Sequence, residues 1–191
     1  MKQILNARNS IYNYFRVSKP CQEHFYKVDM DAYAAYYTSM YLIQDTGEAL
    51  LAHRKLGFSD DSMRAYIEFW GVMQAIFIQQ DALKELYKAV FGGCLDYKKY
   101  TGWMKLRDIR NLCAGHPAKQ DRPGNIPHKR TFMGRNFGDY KNVRYELWDN
   151  LTQLPTHPEF DLCELIDKYE ADAVQVLQNI LSEMKRKWPA E

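Results

Sequence analysis

The sequence predicts an all-α fold, a four-helix bundle with a small β-hairpin inserted between helices 3 and 4. Two observations support this prediction. Apolar residues recur at steps of three and four over four long segments, which is the periodicity of helices buried along one side. Between the third and fourth segments the pattern changes to strict alternation, which is typical of a strand. The length of 191 residues fits one domain, so we assign residues 1–191 to a single helical domain.

The first two predicted helices span residues 26–55 and 61–91. The apolar stripe of the first contains Tyr33, Tyr36, Tyr37, Met40, Ile43, Leu50 and Leu51, and Gly47 interrupts it. The apolar positions of the second include Tyr66, Phe69, Trp70, Met73, Ile76, Phe77, Leu83, Tyr87 and Val90. Because these positions cover more than one face, the second helix is predicted to be central. Two glycines at 92–93 end it.

A third helix begins near Lys98 and ends at the glycine of the sequence GHP, residues 115–117. Gly115 is suited to the left-handed conformation that ends many helices, since it has no Cβ. Pro117 disfavours a helical conformation at the preceding residue. We therefore expect His116 to be extended and to lie on the turn immediately beyond the helix.

The remaining segments are a hairpin, a linker and a fourth helix. The hairpin is predicted over about 131–148, where Val143, Tyr145 and Leu147 alternate with charged residues. The sequence LPTHPEF then forms a linker, and the fourth helix covers about 159–187. The first twenty residues are basic and do not indicate a clear element.

The end of the third helix carries an unusual group of polar side chains. In RDIRNLCAGHP, residues 107–117, these are Arg110, Asn111 and His116. Histidine transfers protons near neutral pH, arginine binds two phosphate oxygens through its planar fork, and an amide can orient either one. Six residues apart, the arginine and histidine would point to different sides of an ideal helix, but a break at Gly115 lets His116 fold back. A helix end with ordinary solvated side chains fits the same spacing, so both interpretations stay open.

Positive charge is concentrated directly after this motif. The formal net charge of the chain is only +2, but the segment from 119 to 144 has a net charge of +5, with only Asp121 and Asp139 opposing its basic residues. The basic residues are Lys119, Arg122, Lys129, Arg130, Arg135, Lys141 and Arg144. A local basic patch attracts polyanions more strongly than a diffuse net charge does. The alternative is a solvated loop without a ligand.

The four cysteines, at positions 21, 94, 113 and 163, lie far apart in the sequence. No apolar run that would serve as a secretory signal or a membrane span is found. We therefore predict a cytoplasmic protein with reduced thiols and no membrane association.

Two pairs, Cys21 with His24 and Cys113 with His116, have the donor types of a zinc site. Such spacing arises often by chance, so we predict no metal and no other cofactor. Cys113 and His116 also have the residue types of a thiol nucleophile and its base. The position of Cys113 on the apolar face of the third helix instead favours a buried, inert thiol.

The sequence of residues 107–117 resembles the signature of the HEPN superfamily (higher eukaryotes and prokaryotes nucleotide-binding). That signature is an arginine, then a polar residue, then a histidine after four to six intervening positions. Arg110, Asn111 and His116 match it, with five residues between the arginine and the histidine. The superfamily places this motif at the end of a helix in a helical bundle, as the periodicity places it here. The predicted hairpin is additional to a minimal bundle.

The resemblance implies a metal-independent endoribonuclease of the kind found in toxin–antitoxin and phage-defence systems. Arg110 would stabilise the phosphate, His116 would transfer a proton and Asn111 would position one of them, leaving a 2′,3′-cyclic phosphate. Two chains would form a homodimer with a composite site, and an antitoxin or other regulatory partner is implied. The residues expected to bind RNA are Lys119, Arg122, Lys129, Arg130 and Arg135. Because some members bind without cutting, the alternative is a non-catalytic dimer that binds RNA, a nucleotide or a protein.

Overall fold

The computed structural model describes residues 1–118 and 128–190, and helix accounts for 69% of the structure. The prediction of a predominantly helical chain is therefore confirmed. The α-helices of the described residues are α1 (Lys2–Val17), α2 (Lys19–Glu23), α3 (Met30–Leu56), α4 (Ser62–Phe91), α5 (Thr101–Arg110) and α6 (Leu162–Lys187). Two π turns, His24–Val28 and Asn111–Gly115, follow α2 and α5. The strands are β1 (Lys129–Phe132), β2 (Val143–Arg144), β3 (Glu146–Asp149), β4 (Pro155–Thr156) and β5 (Glu159–Phe160).

Helix α1 has no counterpart among the predicted helices. Its buried side chains are Ile4, Arg8, Ile11 and Phe15, which follow the spacing of a single helix face. The charged Arg8 occupies one of the four positions, so the apolar stripe is interrupted in the sequence. Arg8 is tolerated in the interior because its Nε donates a hydrogen bond to the backbone oxygen of Met40, 3.0 Å away.

The four longest helices pack side by side in a closed order. α1 packs against α3 and α6, α3 packs against α4, and α4 packs against α6. The fifth long helix, α5, lies against α4 and α6. The ring therefore contains the unpredicted α1, whereas α5 is attached to the outside. The largest fully buried side chains come from all five helices and include Ile4, Ile43, Met73, Leu83, Trp103 and Tyr169.

Helix α5 is held in place by its contact with α6. A Cβ atom added at Gly102 would lie 2.6 Å from the backbone nitrogen of Tyr169, so the two backbones approach too closely for any side chain at this position. Asp172 of α6 accepts a hydrogen bond of 3.0 Å from the backbone N–H of Trp103 in the first turn of α5. This carboxylate caps the helix from outside, where the N-cap residue Tyr100 supplies no side-chain acceptor.

The predicted two-stranded hairpin over 131–148 corresponds to the antiparallel pair β1–β3, and the strands form two small sheets that extend beyond it. β1, β3 and β4 form one antiparallel sheet in the order β1–β3–β4, while β2 pairs with β5. Both β4 and β5 lie in the segment that was predicted to be a linker, so that prediction is wrong. Strands of two residues are too short to show an alternating pattern.

No helix within residues 1–118 and 128–190 has both the length and the apolar character needed to cross a bilayer.

We expect Gly102→Ala to lower the free energy of unfolding by about 1–3 kcal/mol or more, because the new methyl group would force α5 away from α6. The control is Gly71→Ala in α4, where an added Cβ meets nothing within 4 Å. That change should raise stability by about 0.5–1 kcal/mol, since alanine favours helix. Urea denaturation measures both, and equal effects would contradict the proposed close contact.

Candidate active site

The motif lies where α5 changes into the π turn Asn111–Gly115. The backbone N–H of His116 donates a 2.9 Å hydrogen bond to the carbonyl of Asn111, five residues earlier. Each bond of a π turn spans one residue more than an α-helical bond, and such turns recur at functional sites. The turn therefore places the backbone of His116 one wide turn beyond Asn111. The prediction that His116 lies just past the end of the helix is confirmed.

The predicted reason for that helix end is wrong. Gly115 is not in the left-handed region, which among the described glycines contains Gly57, Gly92 and Gly138. His116 has φ −135° and ψ 53°, so it is also not the fully extended residue that Pro117 was expected to enforce.

Gly115 is required for space. A Cβ atom added at Gly115 would lie 2.7 Å from Nη1 of Arg110 and 3.2 Å from its Cζ. The guanidinium group of Arg110 thus occupies the volume beside the residue that precedes His116.

Three further contacts fix the Arg110 side chain. Its Cζ lies 4.0 Å from the ring centroid of Phe77 on α4, in cation–π contact. Nη1 donates to Oδ1 of Asn111 at 3.2 Å, and Nη2 donates to Oε1 of Gln74 at 3.1 Å. The guanidinium has five N–H donors, so further donors remain for a ligand.

The charge of Arg110 has no carboxylate partner among the described residues. Asp81, which lies nearby on α4, instead pairs with Arg107 at 3.3 Å and Lys84 at 3.2 Å. Burial, with a contribution from the neighbouring Arg107 charge, lowers the pKa of Arg110, although arginine stays protonated at neutral pH. A desolvated cation held by neutral amides favours the approach of an anion.

His116 is exposed, and its imidazole forms no hydrogen bond with the described residues. The structure thus brings Arg110 and Asn111 into direct contact and holds the backbone of His116 to Asn111. The imidazole itself is open to a ligand that arrives from solvent. An exposed imidazole and a fixed guanidinium on the same helix end are the groups needed for proton transfer next to a phosphate.

Strand β1 runs beside the π turn. The backbone N–H of Thr131 donates a 2.9 Å hydrogen bond to the oxygen of Pro117, and its hydroxyl donates to the oxygen of Leu112. Thr131 therefore faces the helices, and its neighbours Arg130 and Phe132 face away from them. Phe132 is 64% exposed.

The register of the sheet defines which residues share that outward side. Arg130 lies opposite Trp148, and Trp148 lies opposite Pro155. Phe132 lies opposite Glu146, which therefore shares this side. We call the surface made by Arg130, Phe132, Glu146, Trp148 and Pro155 the outer sheet face. It combines one cation and one carboxylate with two aromatic rings, and its first strand is bonded to the motif.

The other basic residues are less closely connected to the motif. Lys129 lies on the opposite side of β1, with its Nζ 3.8 Å from a carboxylate oxygen of Asp149. Arg135 is exposed beyond the end of β1. Arg144 is paired with Glu159, and Lys141 is exposed. Lys119 and Arg122 lie outside the described residues.

Four residues of the site were not predicted from the sequence. Phe77 was assigned to the apolar core because it fits the periodicity of α4, and Gln74 on the preceding turn gave no signal. Phe132 and Trp148 lie on strands of four residues, where a side-chain direction is hard to derive. An aromatic residue two positions after Arg130, and so on the same side of a strand, was the available indication.

The alternative sites proposed for cysteine are not supported by the geometry. No three His, Cys, Asp or Glu side chains within 1–118 and 128–190 come together as a metal-binding group. Cys21 and Cys113 are both buried, and burial raises the pKa of each thiol to about 12. A thiol of this kind is protonated at neutral pH and is a poor nucleophile.

Comparison of the chain with models of known protein families, with curated proteins and with solved structures gives no match. The resemblance of residues 107–117 to the HEPN motif therefore stays a prediction. We infer function from the contacts described above.

We expect Gly115→Ala to move the Arg110 guanidinium away from Phe77 with little loss of stability, because the clashing atom is the end of a flexible side chain. Nitrogen-15 NMR of the arginine side chains should show a shifted Arg110 resonance. Gly134→Ala is the control, since an added Cβ there meets nothing within 4 Å. An unchanged Arg110 resonance would refute this account of Gly115.

We expect an aromatic disulfide reagent at pH 8 to label the exposed Cys94 quickly and Cys163 more slowly. Cys21 and Cys113 should react only after unfolding, because burial both shields them and keeps their pKa near 12. Cys94→Ser should remove the fast phase. A fast phase that is lost instead in Cys113→Ser would restore the thiol nucleophile as a candidate.

Proposed function

We propose that this protein is a metal-independent endoribonuclease of the HEPN type, built on a four-helix bundle and acting in the cytoplasm as a toxin or phage-defence effector. The observation that carries the proposal is an exposed His116 at the end of the π turn that follows Arg110, whose guanidinium is held in place and has no carboxylate partner among the described residues. The residue types, the helix end and the adjacent basic strand all fit cleavage of a phosphodiester.

The reaction is an internal transesterification of RNA. The 2′-hydroxyl loses its proton to a base, and its oxygen attacks phosphorus while the bond from phosphorus to the 5′-oxygen breaks. The departing 5′-oxygen takes a proton from an acid, which leaves a 2′,3′-cyclic phosphate and a 5′-hydroxyl. We assign proton transfer to the imidazole of His116, since histidine is the side chain most often used for general acid–base catalysis.

Arg110 is assigned to the phosphate. Negative charge builds on the non-bridging oxygens as the 2′-oxygen attacks, and a guanidinium placed in advance stabilises that charge without reorganisation. Its contacts with Phe77, Gln74 and Asn111 restrict the side chain before substrate arrives. Asn111 is a positioning residue, since it holds Arg110 through its Oδ1.

The outer sheet face is assigned to RNA beside the scissile bond. Bases of single-stranded RNA stack on exposed aromatic rings, and the phosphates pair with cations. Phe132, Trp148 and Arg130 provide both on one surface, and Thr131 bonds that strand to the π turn. Lys119, Arg122, Lys129 and Arg135 are proposed to contribute further phosphate contacts.

A single motif offers one histidine, whereas the reaction needs both a base and an acid. We therefore propose a homodimer in which two motifs meet, so that the second copy supplies the second proton-transfer group. The activity of such an enzyme would be restrained in the cell by an antitoxin or regulatory partner. No metal or organic cofactor takes part in the proposed reaction.

The main test is cleavage of total cellular RNA in the presence of EDTA. We expect wild type to cut, and Arg110→Ala and His116→Ala each to lose a factor of about 10²–10³ or more in rate. Asn111→Ala should lose about tenfold, because Arg110 keeps its other contacts. The matched control is Arg186→Ala, which is exposed and distant in sequence from the motif.

A folded His116→Ala protein that cuts RNA as fast as wild type would refute the proposal. A complete loss of cleavage by wild type in EDTA would equally contradict a metal-independent reaction. Binding of RNA without cutting by wild type would favour the non-catalytic alternative.

Dilution tests the composite site. If two chains are required, the cleavage rate per chain should fall as the concentration drops below the dimer dissociation constant, which sedimentation velocity measures independently. A rate per chain that stays constant where sedimentation shows monomers would show that one copy of the motif suffices.

We expect Phe132→Ala to weaken binding of single-stranded RNA by about 5- to 100-fold, the loss of one stacked base. Arg130→Ala should weaken it and also reduce the slope of log affinity against log salt by about one contact. Leu56→Ala, at the most exposed large apolar side chain of the described residues, is the control. Affinity is measured on the His116→Ala background, and unchanged binding in both variants would remove the outer sheet face from the site.

A further inference from the structure

A second concave site lies between α1 and α3, away from the motif. It has a volume of about 550 Å³, within the range of small-molecule sites. Six tyrosines line it: Tyr12, Tyr26, Tyr33, Tyr36, Tyr37 and Tyr41. We call it the tyrosine pocket. It shares no lining residue with Arg110, Asn111 or His116.

The aromatic rings form a continuous wall. Tyr26 and Tyr33 have ring centroids 4.9 Å apart, Tyr33 and Tyr37 are 6.0 Å apart, and Tyr37 and Tyr41 are 4.8 Å apart. Several of these rings are about half exposed. A cluster of exposed aromatic rings is unusual on a protein surface that binds no ligand or partner. Exposed rings side by side present the faces on which a planar heterocycle stacks.

Two arginines give the pocket a positive charge. The guanidinium carbons of Arg8 and Arg16 lie 5.2 and 5.8 Å from the ring centroid of Tyr12. Arg8 is held by neutral acceptors, the oxygen of Met40 at 3.0 Å and Oδ1 of Asn9 at 3.1 Å. No Asp or Glu among the described residues lines the pocket. This charge excludes a cationic ligand and favours an anion.

The most buried tyrosine of the pocket has an unused polar group. Tyr36 is only 4% exposed, stacks on Phe15 with centroids 4.8 Å apart and lines the pocket. Its hydroxyl has no hydrogen-bond partner among the described residues. Buried polar groups in native proteins are nearly always paired, so an unpaired one at a pocket points to a missing ligand atom.

We propose that the tyrosine pocket binds a nucleotide, with the nucleobase stacked on the tyrosines and the phosphate paired with Arg8 and Arg16. A planar aromatic group satisfies the rings, a phosphate satisfies the two guanidinium groups, and an acceptor on the ligand takes the hydroxyl of Tyr36. This site is separate from the proposed nuclease reaction and does not depend on it.

Isothermal titration of the full chain with AMP, GMP, CMP and UMP tests the site. We expect saturable binding of at least one of them with a Kd below about 1 mM. Adenosine without phosphate and inorganic phosphate without a base are separate probes, and each should bind at least about tenfold more weakly than the best nucleotide. Higher salt should weaken the nucleotide, since a phosphate pairs with exposed Arg16.

Two variants remove single groups without creating a large cavity. Tyr36→Phe deletes one hydroxyl, and Arg16→Gln deletes one exposed charge, so each should weaken nucleotide binding by about tenfold while thermal unfolding confirms the fold. Tyr87→Phe on α4 and Lys2→Gln on α1 are matched controls outside the pocket and should leave binding unchanged.

Arg110→Ala separates this site from the motif. We expect it to retain nucleotide binding, which would show that the titrated nucleotide does not occupy the proposed nuclease site. Binding that is lost in Arg110→Ala but kept in Arg16→Gln and Tyr36→Phe would overturn the proposal. It would also be overturned by a lack of saturation with all four nucleotides, or by pocket variants that change only self-association in sedimentation.

Discussion

The close approach of α5 to α6 at Gly102 is the contact on which the candidate active site depends. Only glycine lets the backbone of α5 meet the backbone at Lys168 and Tyr169, and Asp172 caps the helix from the same neighbour. α6 in turn packs against α1 and α4, so its contact with α5 fixes the start of α5 relative to the centre of the molecule. The motif lies at the other end of this short helix, so the same contact fixes its position. A rigid element therefore carries Arg110 toward the side chains of α4 that receive it.

Two arginines, Arg110 and Arg8, are each held by neutral hydrogen-bond acceptors and an aromatic ring. Arg110 lies over Phe77 and binds amide oxygens, while Arg8 lies near Tyr12 and binds an amide and a carbonyl. Neutral acceptors orient a guanidinium without cancelling its charge, and an aromatic face replaces part of its hydration. A carboxylate would hold the same side chain more firmly but would leave less attraction for a phosphate. Asp81 shows the contrast, because it is already shared by Arg107 and Lys84.

The sequence predicted α3, α4, α5 and α6, whose apolar positions recur at helical steps. It did not predict α1, because Arg8 stands where the stripe needs an apolar residue and only the fold supplies its partner. It placed the motif correctly at a helix end but assigned Gly115 the wrong role. Glycine is selected both where the backbone must be left-handed and where there is no space for a side chain, and the sequence does not distinguish these two reasons. Gln74 and Phe77 come from another helix, so their contact with Arg110 depends on tertiary packing. The sheets depend on pairings between two- to four-residue strands, which carry little periodicity.

The π turn also determines how the motif would respond to a change in the number of residues between the arginine and the histidine. The bond from His116 to Asn111 spans five residues, and an ordinary α turn closes the same kind of loop over four. A chain shortened by one residue between the arginine and the histidine could thus keep the histidine above the asparagine by forming an α turn. A deletion that left the turn wide would instead rotate the histidine by about 100° around the helix axis. A one-residue gap at this point in an alignment is therefore compatible with the same arrangement of the pair only where an α turn has replaced the π turn.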